Sequence, residues 1–526
     1  MKKLLSLFLV VLMLLSLTAC GGNGSSAGNI KGEVEGGDYS HELITEVDPN
    51  NPTVLGVFYR NIVGADILSD DPAVKEIDKK ADEMLKNIEE LPDTIKAADG
   101  CKTYYVSAEG DDGNDGLSPQ TPKKTYASFK GKLQPGDAVL FRRGDVFRGQ
   151  QVIMTGVSYG AYGSGIKPRF YGSVDGKQGE WKETSTKGVY EYSKVVKYGN
   201  IIFDNGKALG RPVTDKKHIT KKALNVFYNG AKLQVYSPDG NPAEIFKFIE
   251  IVEDYTLFVG PGGGFKDVKM QNLCMMYTGV HFLGTLGRVE NLEVEGCIMG
   301  YCGGKNLYLG NKSVSLGNCI EFWSQAVNID IHHSYFFQAF DAALTHQGPT
   351  KVTATGQTSK TDYTNIKYRD NLLEYNTYDF EAFSCRELSA QADSPDGTFT
   401  YNDVYITGNI CRYNGYSWGS LDRPDKQVYT NFKYDAEGEQ NAAGEWTNRH
   451  VKPLTIENNI FDRSRKRVLG INTPLNNSEN LILKNNTFIM SDRADIFKGK
   501  TLNEDYKSAI NQYFGINEGN TYKIVK

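Results

Sequence analysis

Four stretches of the chain set carboxylates and aromatic rings beside apolar residues in alternation. If Ile320 and Phe322 face a core, Glu321 and Trp323 face away from it, and if Ala342 and Leu344 face in, Asp341 faces out. The same alternation turns Asp379 and Glu381 outward around Phe380, and Tyr416, Trp418 and Asp422 outward opposite Gly419 and Leu421. Paired carboxylates are the machinery of glycosidic-bond hydrolysis, one as acid and the other as nucleophile or base. Asp341, Asp379 and Glu381 are the expected catalytic group, with His346 as a further proton carrier. Trp323, Tyr416 and Trp418 offer flat faces to sugar rings, and Glu321, Asp422, Arg386 and Arg423 are the other expected substrate contacts. An outward acid on a strand serves solubility first, so it is the clustering beside two tryptophans that carries this expectation.

Such a strip needs a scaffold that presents the same strand again and again. Repeating units supply it: each begins with a polar residue, alternates apolar and polar positions, and turns at Asn, Gly or Asp. They start at Asp267, Asn291, Asn328, Asn365, Asp403, Pro453 and Asn480. Unequal spacing fits a constant coil carrying loops of different length, and the pattern reads as a parallel β-helix. Asn371, Asn409, Asn459 and Asn486 recur at one point of successive units, where Asn tolerates left-handed backbone and bonds to its neighbour in the stack. That column speaks for fold, not chemistry. Coils stack about 4.8 Å apart, so carboxylates one coil apart approach the roughly 5 to 5.5 Å of retaining glycosidases. Two coils, about 9.6 Å, approach the upper end of the inverting range. Polar insertions at roughly 346–363, 386–402 and 423–450 would wall a groove over the strip.

Ahead of the repeats the spacing predicts one helix over 71–91. Asp71 is its N-cap, Pro72 its first residue, and Val74, Ile77, Ala81, Met84, Leu85, Ile88 and Leu91 form one stripe before Pro92. A lone amphipathic helix before a solenoid is expected to cap its open end.

Three motifs carry a family resemblance: Tyr104-Tyr105-Val106-Ser107, the run Gly113 to Pro119, and the run Pro135 to Asp145. With the coils they resemble secreted right-handed β-helix proteins of the pectate-lyase-like superfamily, from about Tyr104 to the C-terminus. The resemblance implies an all-β, right-handed single-stranded parallel β-helix with a short N-terminal capping helix. It implies action on carbohydrate, because the superfamily holds polysaccharide lyases, glycoside hydrolases, epimerases and non-enzymatic adhesins, and fold alone does not choose among them. A lyase would neutralise a uronic acid with Arg or Ca²⁺ and remove its C5 proton with a base, often Lys or Arg in this superfamily. Arg386, Arg423 and Lys426 are available for that, and Asp341, Asp379 and Glu381 could hold Ca²⁺. The hydrolase reading needs no cofactor and ranks first, since a strip richer in acids than bases repels an anionic substrate unless calcium is bound. A carbohydrate-binding adhesin would use the same rings without catalysis.

Charge and composition narrow the classes further. The 526 residues hold 59 Lys+Arg against 64 Asp+Glu, a formal charge of −5, which gives no reason to prefer nucleic acid or an anionic membrane. Gly 55 and Tyr 31 against Pro 17 favour strands and turns. Lys2 and Lys3 precede an apolar run from Leu4 to Leu15, too short to span a bilayer permanently, and Leu17-Thr18-Ala19-Cys20 resembles a bacterial lipobox. That resemblance implies a signal peptide over 1–19, cleavage before Cys20, lipid on its sulfur and an extracytoplasmic protein held to the cell membrane. The domain plan is then a tether over 20–40, a segment with the helix over 41–100, and the β-helix over 101–526. Seven scattered cysteines beyond Cys20 make neither a disulfide framework nor a zinc site, and only Cys297 with Cys302 is close enough in sequence to invite pairing. Asp111, Gly113, Asp115 and Gly116 partly imitate a calcium loop, but Pro122 stands where its closing Glu belongs, so a turn is expected. No phosphate-binding loop and no nucleophile elbow is present in the sequence.

Overall fold

The computed structural model describes residues 69–213, 215–260, 264–285, 287–309, 312–323, 325–349, 362–385, 400–419, 430–436, 439–440, 446–447, 452–465, 467–471, 481–491, 495–497 and 515–525. Cys20, Arg386, Asp422, Arg423 and Lys426 lie outside them.

Each coil gives one strand to each of three sheets. One coil runs Gln325–His332, Tyr335–Ala339 and Ala342–Pro349, and the next runs Asp362–Arg369, Leu372–Glu374 and Tyr378–Cys385. Stacked in parallel, these belong to a first sheet of 11 described strands, a second of 14, whose early members Ser173–Asp175, Tyr198–Phe203 and Ala208–Leu209 pair antiparallel, and a third of 9, so the protein is a right-handed parallel β-helix. The bore is filled by inward columns such as Val289, Ala326 and Leu292, Ile329, Ile366, Val404, Leu454, all buried.

Register is pinned at the turn between the first and second sheets. Asn371, Asn409, Asn459 and Asn486 each accept, through Oδ1, a backbone N–H from the coil before, and Asn520 extends the ladder by one rung. Each Nδ2 in turn donates to a carbonyl of the preceding coil, as Asn409 does to Tyr368 at 2.9 Å. The left-handed residue is not the ladder Asn but the one before it: Asp370, Gly408, Asn458 and Asn485 have φ of 54, 68, 59 and 55°. The unit-starting residues Asp267, Asn291, Asn328, Asn365 and Asp403 are left-handed too, and from Asp267 to Asn365 they bond side chain to side chain as a second, exposed ladder on the first sheet.

The helix spans Pro72–Glu89, with Asp71 Oδ1 accepting the Ala73 N–H at 2.8 Å. Its stripe of Val74, Ile77, Ala81, Leu85 and Ile88 does not close an end of the stack. It lies on the outer face of the second sheet, against Tyr277, Tyr301, Tyr335, Leu372, Ile410 and Ile489. That face is too apolar to stay wet, and each Val, Ile or Leu fully buried there is worth about 1.5–3 kcal/mol. Asp78 ties the helix to Arg412 and Arg463, and Lys523 of the last described coil reaches Asp71.

Two expectations change in the early coils and among the thiols, and one holds. A five-stranded mixed sheet between Trp181 and Tyr236, with its own core of Trp181, Tyr192, Val226 and Val235, interrupts the stack. Alternation alone does not separate these strands from coil strands. The calcium-like loop is a turn, in which Lys123 Nζ donates to the carbonyls of Asp112 and Asn114. Cys297 and Cys302 are both buried as free thiols, each near a backbone carbonyl, and are not bonded to one another.

Ile331 is fully buried, whereas neighbouring Asp330 is half-exposed and paired with Arg369. Ile331→Asp should cost about 4 kcal/mol or more, because the bore cannot solvate a charge. Asp330→Ser should stay within about 1 kcal/mol of the parent. Thermal unfolding of the two variants checks the register, and equal losses would refute it.

Candidate active site

The third sheet carries the acids. Its register places Gly284, Glu321, Thr345, Glu381 and Lys433 in one column, while Leu283, Ile320, Leu344 and Phe380 form the inward column beside it. Glu321 and Glu381 are therefore two coils apart on one outward line, about 9.6 Å between backbones. They are only 7 % and 5 % exposed, which is not the state of acids kept for solubility. Thr345 lies between them with its Oγ1 buried and without a hydrogen-bond partner among the described residues. Trp323 follows Phe322 at the next outward position, also 7 % exposed, with its N–H donated to Thr285 O at 3.1 Å.

His281 joins this group, and the sequence reading missed it. Its Nε2 meets Glu321 Oε2, and its Nδ1 lies 3.2 Å from the N–H of Asn318. The signal was available one coil earlier, where Phe282 and Leu283 precede Gly284 as Cys319 and Ile320 precede Glu321, but no acid there drew attention to the strand.

The other expected residues are elsewhere. Asp379 is fully buried and accepts a hydrogen bond from Asn376 Nδ2 at 3.1 Å. It stands in register with Phe282, Cys319, Ala343 and Val468, all members of the bore, because the chain turns two consecutive residues inward at this corner and strict alternation fails. After burial itself, its charge adds to what pushes the Cys411 thiol well up. Asp341 sits half-buried at the same corner, its N–H donated to Gly317 O at 3.0 Å.

His346 is two residues beyond inward Leu344 and so faces inward as well. It is buried beside Tyr363 and Tyr368, with Nδ1 3.3 Å from the Tyr368 hydroxyl, and burial pushes its pKa down to about 3. It is a neutral histidine among the inward side chains.

Trp418 is fully buried on the outer side of the second sheet, edge-on to Tyr301 and Phe340, with its indole N–H donated to Gln338 O at 2.8 Å. Tyr416 packs with Tyr375 and Tyr413, under Arg465. Both rings belong to the loop that follows the second-sheet strand Ile410–Arg412; the Trp418 ring is fully buried and offers no platform, whereas Tyr416 is half-buried.

The other dense cluster of acids with a histidine, Glu293, Glu295 and His332, is on the first sheet. Lys269 Nζ sits 2.9 Å from Glu293 and 3.2 Å from Glu295, so a lysine occupies the centre of that set. The His332 hydrogen bond, with Lys269, holds Glu293 down at about 2.

No family model matches the chain, and no curated protein matches it. Among solved structures it is similar to a XylC bound to xylose, at 11 % identity over 80 % of this chain and 82 % of that one, with a TM-score of 0.42. It is similar to a GH136 lacto-N-biosidase from Eubacterium ramulus at 13 % identity, over 81 % of this chain and 68 % of the other, with a TM-score of 0.37. The pectate lyase Pel9A follows at 10 % identity, 77 % and 81 % coverage and a TM-score of 0.32.

Burial of neutral His346 has a consequence in acid. An unfolded histidine takes up its proton near pH 6.5, while the native one resists until about pH 3. The stabilising state is complete above about pH 6.5 and is lost as pH falls toward 3, by up to about 5 kcal/mol. His346→Asn, which keeps a polar group near the Tyr368 hydroxyl, should therefore flatten the fall in melting temperature between pH 7 and 4. An unchanged slope would place the acid sensitivity elsewhere.

Proposed function

We propose that the protein is a carbohydrate-active β-helix enzyme, a glycoside hydrolase acting on a neutral polysaccharide or oligosaccharide through Glu321 and Glu381. One observation carries this: two nearly buried glutamates in one outward column, two coils apart, flanking a buried hydroxyl without a partner. Their spacing fits the arrangement in which one carboxyl protonates the leaving oxygen and the other activates a water on the opposite face of the sugar, roughly 6.5–9.5 Å apart. Side chains leaning toward one another bring backbones about 9.6 Å apart into that range. In this scheme Thr345 Oγ1 would bond a sugar hydroxyl held between them, and Trp323 would stack against a ring at the next position along the face. Nothing in this scheme needs a cofactor. Lipid attachment at Cys20 would hold the enzyme at the outer side of the cell membrane, within reach of polymers too large to import.

The test offers the chain from residue 21 a panel of neutral and uronic-acid polysaccharides. New reducing ends without ultraviolet absorbance are expected; unsaturated products would indicate the lyase instead, and binding without cleavage an adhesin. Glu321→Gln and Glu381→Gln should each lower kcat about 10²–10⁴-fold with oligosaccharide binding retained. Full activity in both variants would end the proposal.

A further inference from the structure

A β-hairpin leaves the stack directly ahead of Glu321. It pairs Asn306–Leu309 with Lys312–Ser315 and is inserted between the second-sheet strand Ile298–Cys302 and the third-sheet strand Ile320–Phe322. Cys302 ends the first of those strands and Cys319 immediately precedes the second, so the two cysteines flank the insertion. We propose that Cys302 and Cys319 are a disulfide-forming pair, which in an oxidising compartment clips the base of this hairpin shut beside the third-sheet column. The proposal stands apart from the hydrolase reading, because it concerns two thiols and holds whatever the glutamates do.

Backbone geometry brings the two ends together. A Cβ built on Gly303 would lie 2.3 Å from the Gly317 Cα, and one built on Gly317 would lie 3.2 Å from the Cys302 carbonyl oxygen, so the hairpin is pinched at two glycines next to the cysteines. The Gly304 N–H donates to Leu316 O at 3.0 Å and the Leu316 N–H to Lys305 O at 2.9 Å, which closes the neck. Cys302 and Cys319 meet at one corner of the bore, both fully buried, and their thiols share a hydrogen bond. Cys302 Sγ also stands 3.9 Å from the Val280 carbonyl oxygen. In the next coil the register puts Ala339 and Ala343 at the places of the two cysteines, small side chains beside both sulfurs. Cys297, the nearer of the two in sequence to Cys302, directs its thiol instead to the carbonyls of Met270 and Glu295.

Closing the bridge takes two electrons and two protons from the pair. One cysteine thiolate attacks a sulfur of an oxidant disulfide, supplied by a dithiol–disulfide oxidoreductase or a low-molecular-weight disulfide, and expels one oxidant thiolate from the mixed disulfide it forms. The second cysteine thiolate then attacks the sulfur of the first and expels the other, so the oxidant leaves as two thiols. In the closed coil burial, the Cys319 thiol and the charges of Asp341 and Glu321 push the Cys302 thiol well up, which keeps it from acting as the nucleophile. The bridge is therefore made while the chain folds and the corner is still open to solvent. Once made, it lies out of reach of a reductant. The lipobox resemblance at Cys20 implies the extracytoplasmic setting in which such bonds form and persist.

The test makes the chain from residue 21 twice, once retained in the cytosol of a bacterial host and once exported to a periplasm that forms disulfides. Free thiols are alkylated in denaturant, and the peptides are read by mass spectrometry without reduction. The exported protein should give one peptide pair joined through Cys302 and Cys319, lighter by two hydrogens than the two peptides together, with Cys297 and Cys411 alkylated. The folded cytosolic protein, placed in oxidised glutathione, should form the same bridge at least about tenfold more slowly than it does after unfolding. Amide hydrogen exchange in the hairpin should be at least about threefold slower in the exported than in the cytosolic protein. Cys319→Ala, which puts at this corner the residue the next coil carries, should abolish that difference. Cys302 and Cys319 both recovered alkylated from the exported protein, or joined to other cysteines, overturn the pairing. A bridge that leaves hairpin exchange unchanged overturns the clip.

Discussion

Every column in this protein exists because successive coils stack in register at about 4.8 Å. The backbone ladders of three sheets supply the repeat, but they would tolerate a slip, and a slip of one residue turns every inward side chain outward. The turn between the first and second sheets removes that freedom. A left-handed residue sets the corner, and the asparagine after it is buried with both ends of its amide committed to the coil before. A buried amide left unpaired by a slip would cost about 1–3 kcal/mol per rung. The ladder therefore holds Ile329 over Leu292 on one sheet and Glu381 two places from Glu321 on another with the same device.

This is why the fold was legible and the site only in part. The ladder asparagines, the alternation around Ile329 and Ile331 and the N-cap at Asp71 are local patterns, and each sits where the pattern puts it. The outward positions of Glu321, expected as a substrate contact, and of Glu381, expected as a catalytic acid, were legible because both lie in the straight part of a strand. Asp379 was not, because at the corner Asp379 and Phe380 both face the bore, and alternation has no term for a corner. His346 was misplaced against the pattern itself, since it shares the parity of Leu344. Trp418 looks like a sugar platform in any sequence, and only the loop that folds it onto Tyr301 and Phe340 shows that its ring is spent on packing. The helix pattern gives amphipathicity but not a partner, and the helix packs on the outer face of the second sheet rather than on the end of the stack.

Charged groups elsewhere in the molecule show what a structural network looks like here. Arg412 lies between Glu374, Asp462 and Asp78, and Lys269 lies between Glu293 and Glu295; opposite charges close each set, and removing one partner would strand the rest. On the third sheet two glutamates and a threonine hydroxyl stand in line with Lys433 one coil beyond Glu381, the histidine touches Glu321, and the hydroxyl in the middle has no partner among the described residues. Burying carboxylates along an outward face costs stability, and such a cost persists where the arrangement serves something other than stability.

The spacing of that pair is the central claim, and stereochemistry reads it directly. Proton NMR of the first sugar released, recorded before the anomers equilibrate, reports which anomer leaves the enzyme. Two coils between the glutamates predict inversion of configuration. A product with retained configuration would require carboxyl groups about 5 to 5.5 Å apart, one coil rather than two, and would contradict the assignment of Glu321 and Glu381 as the working pair.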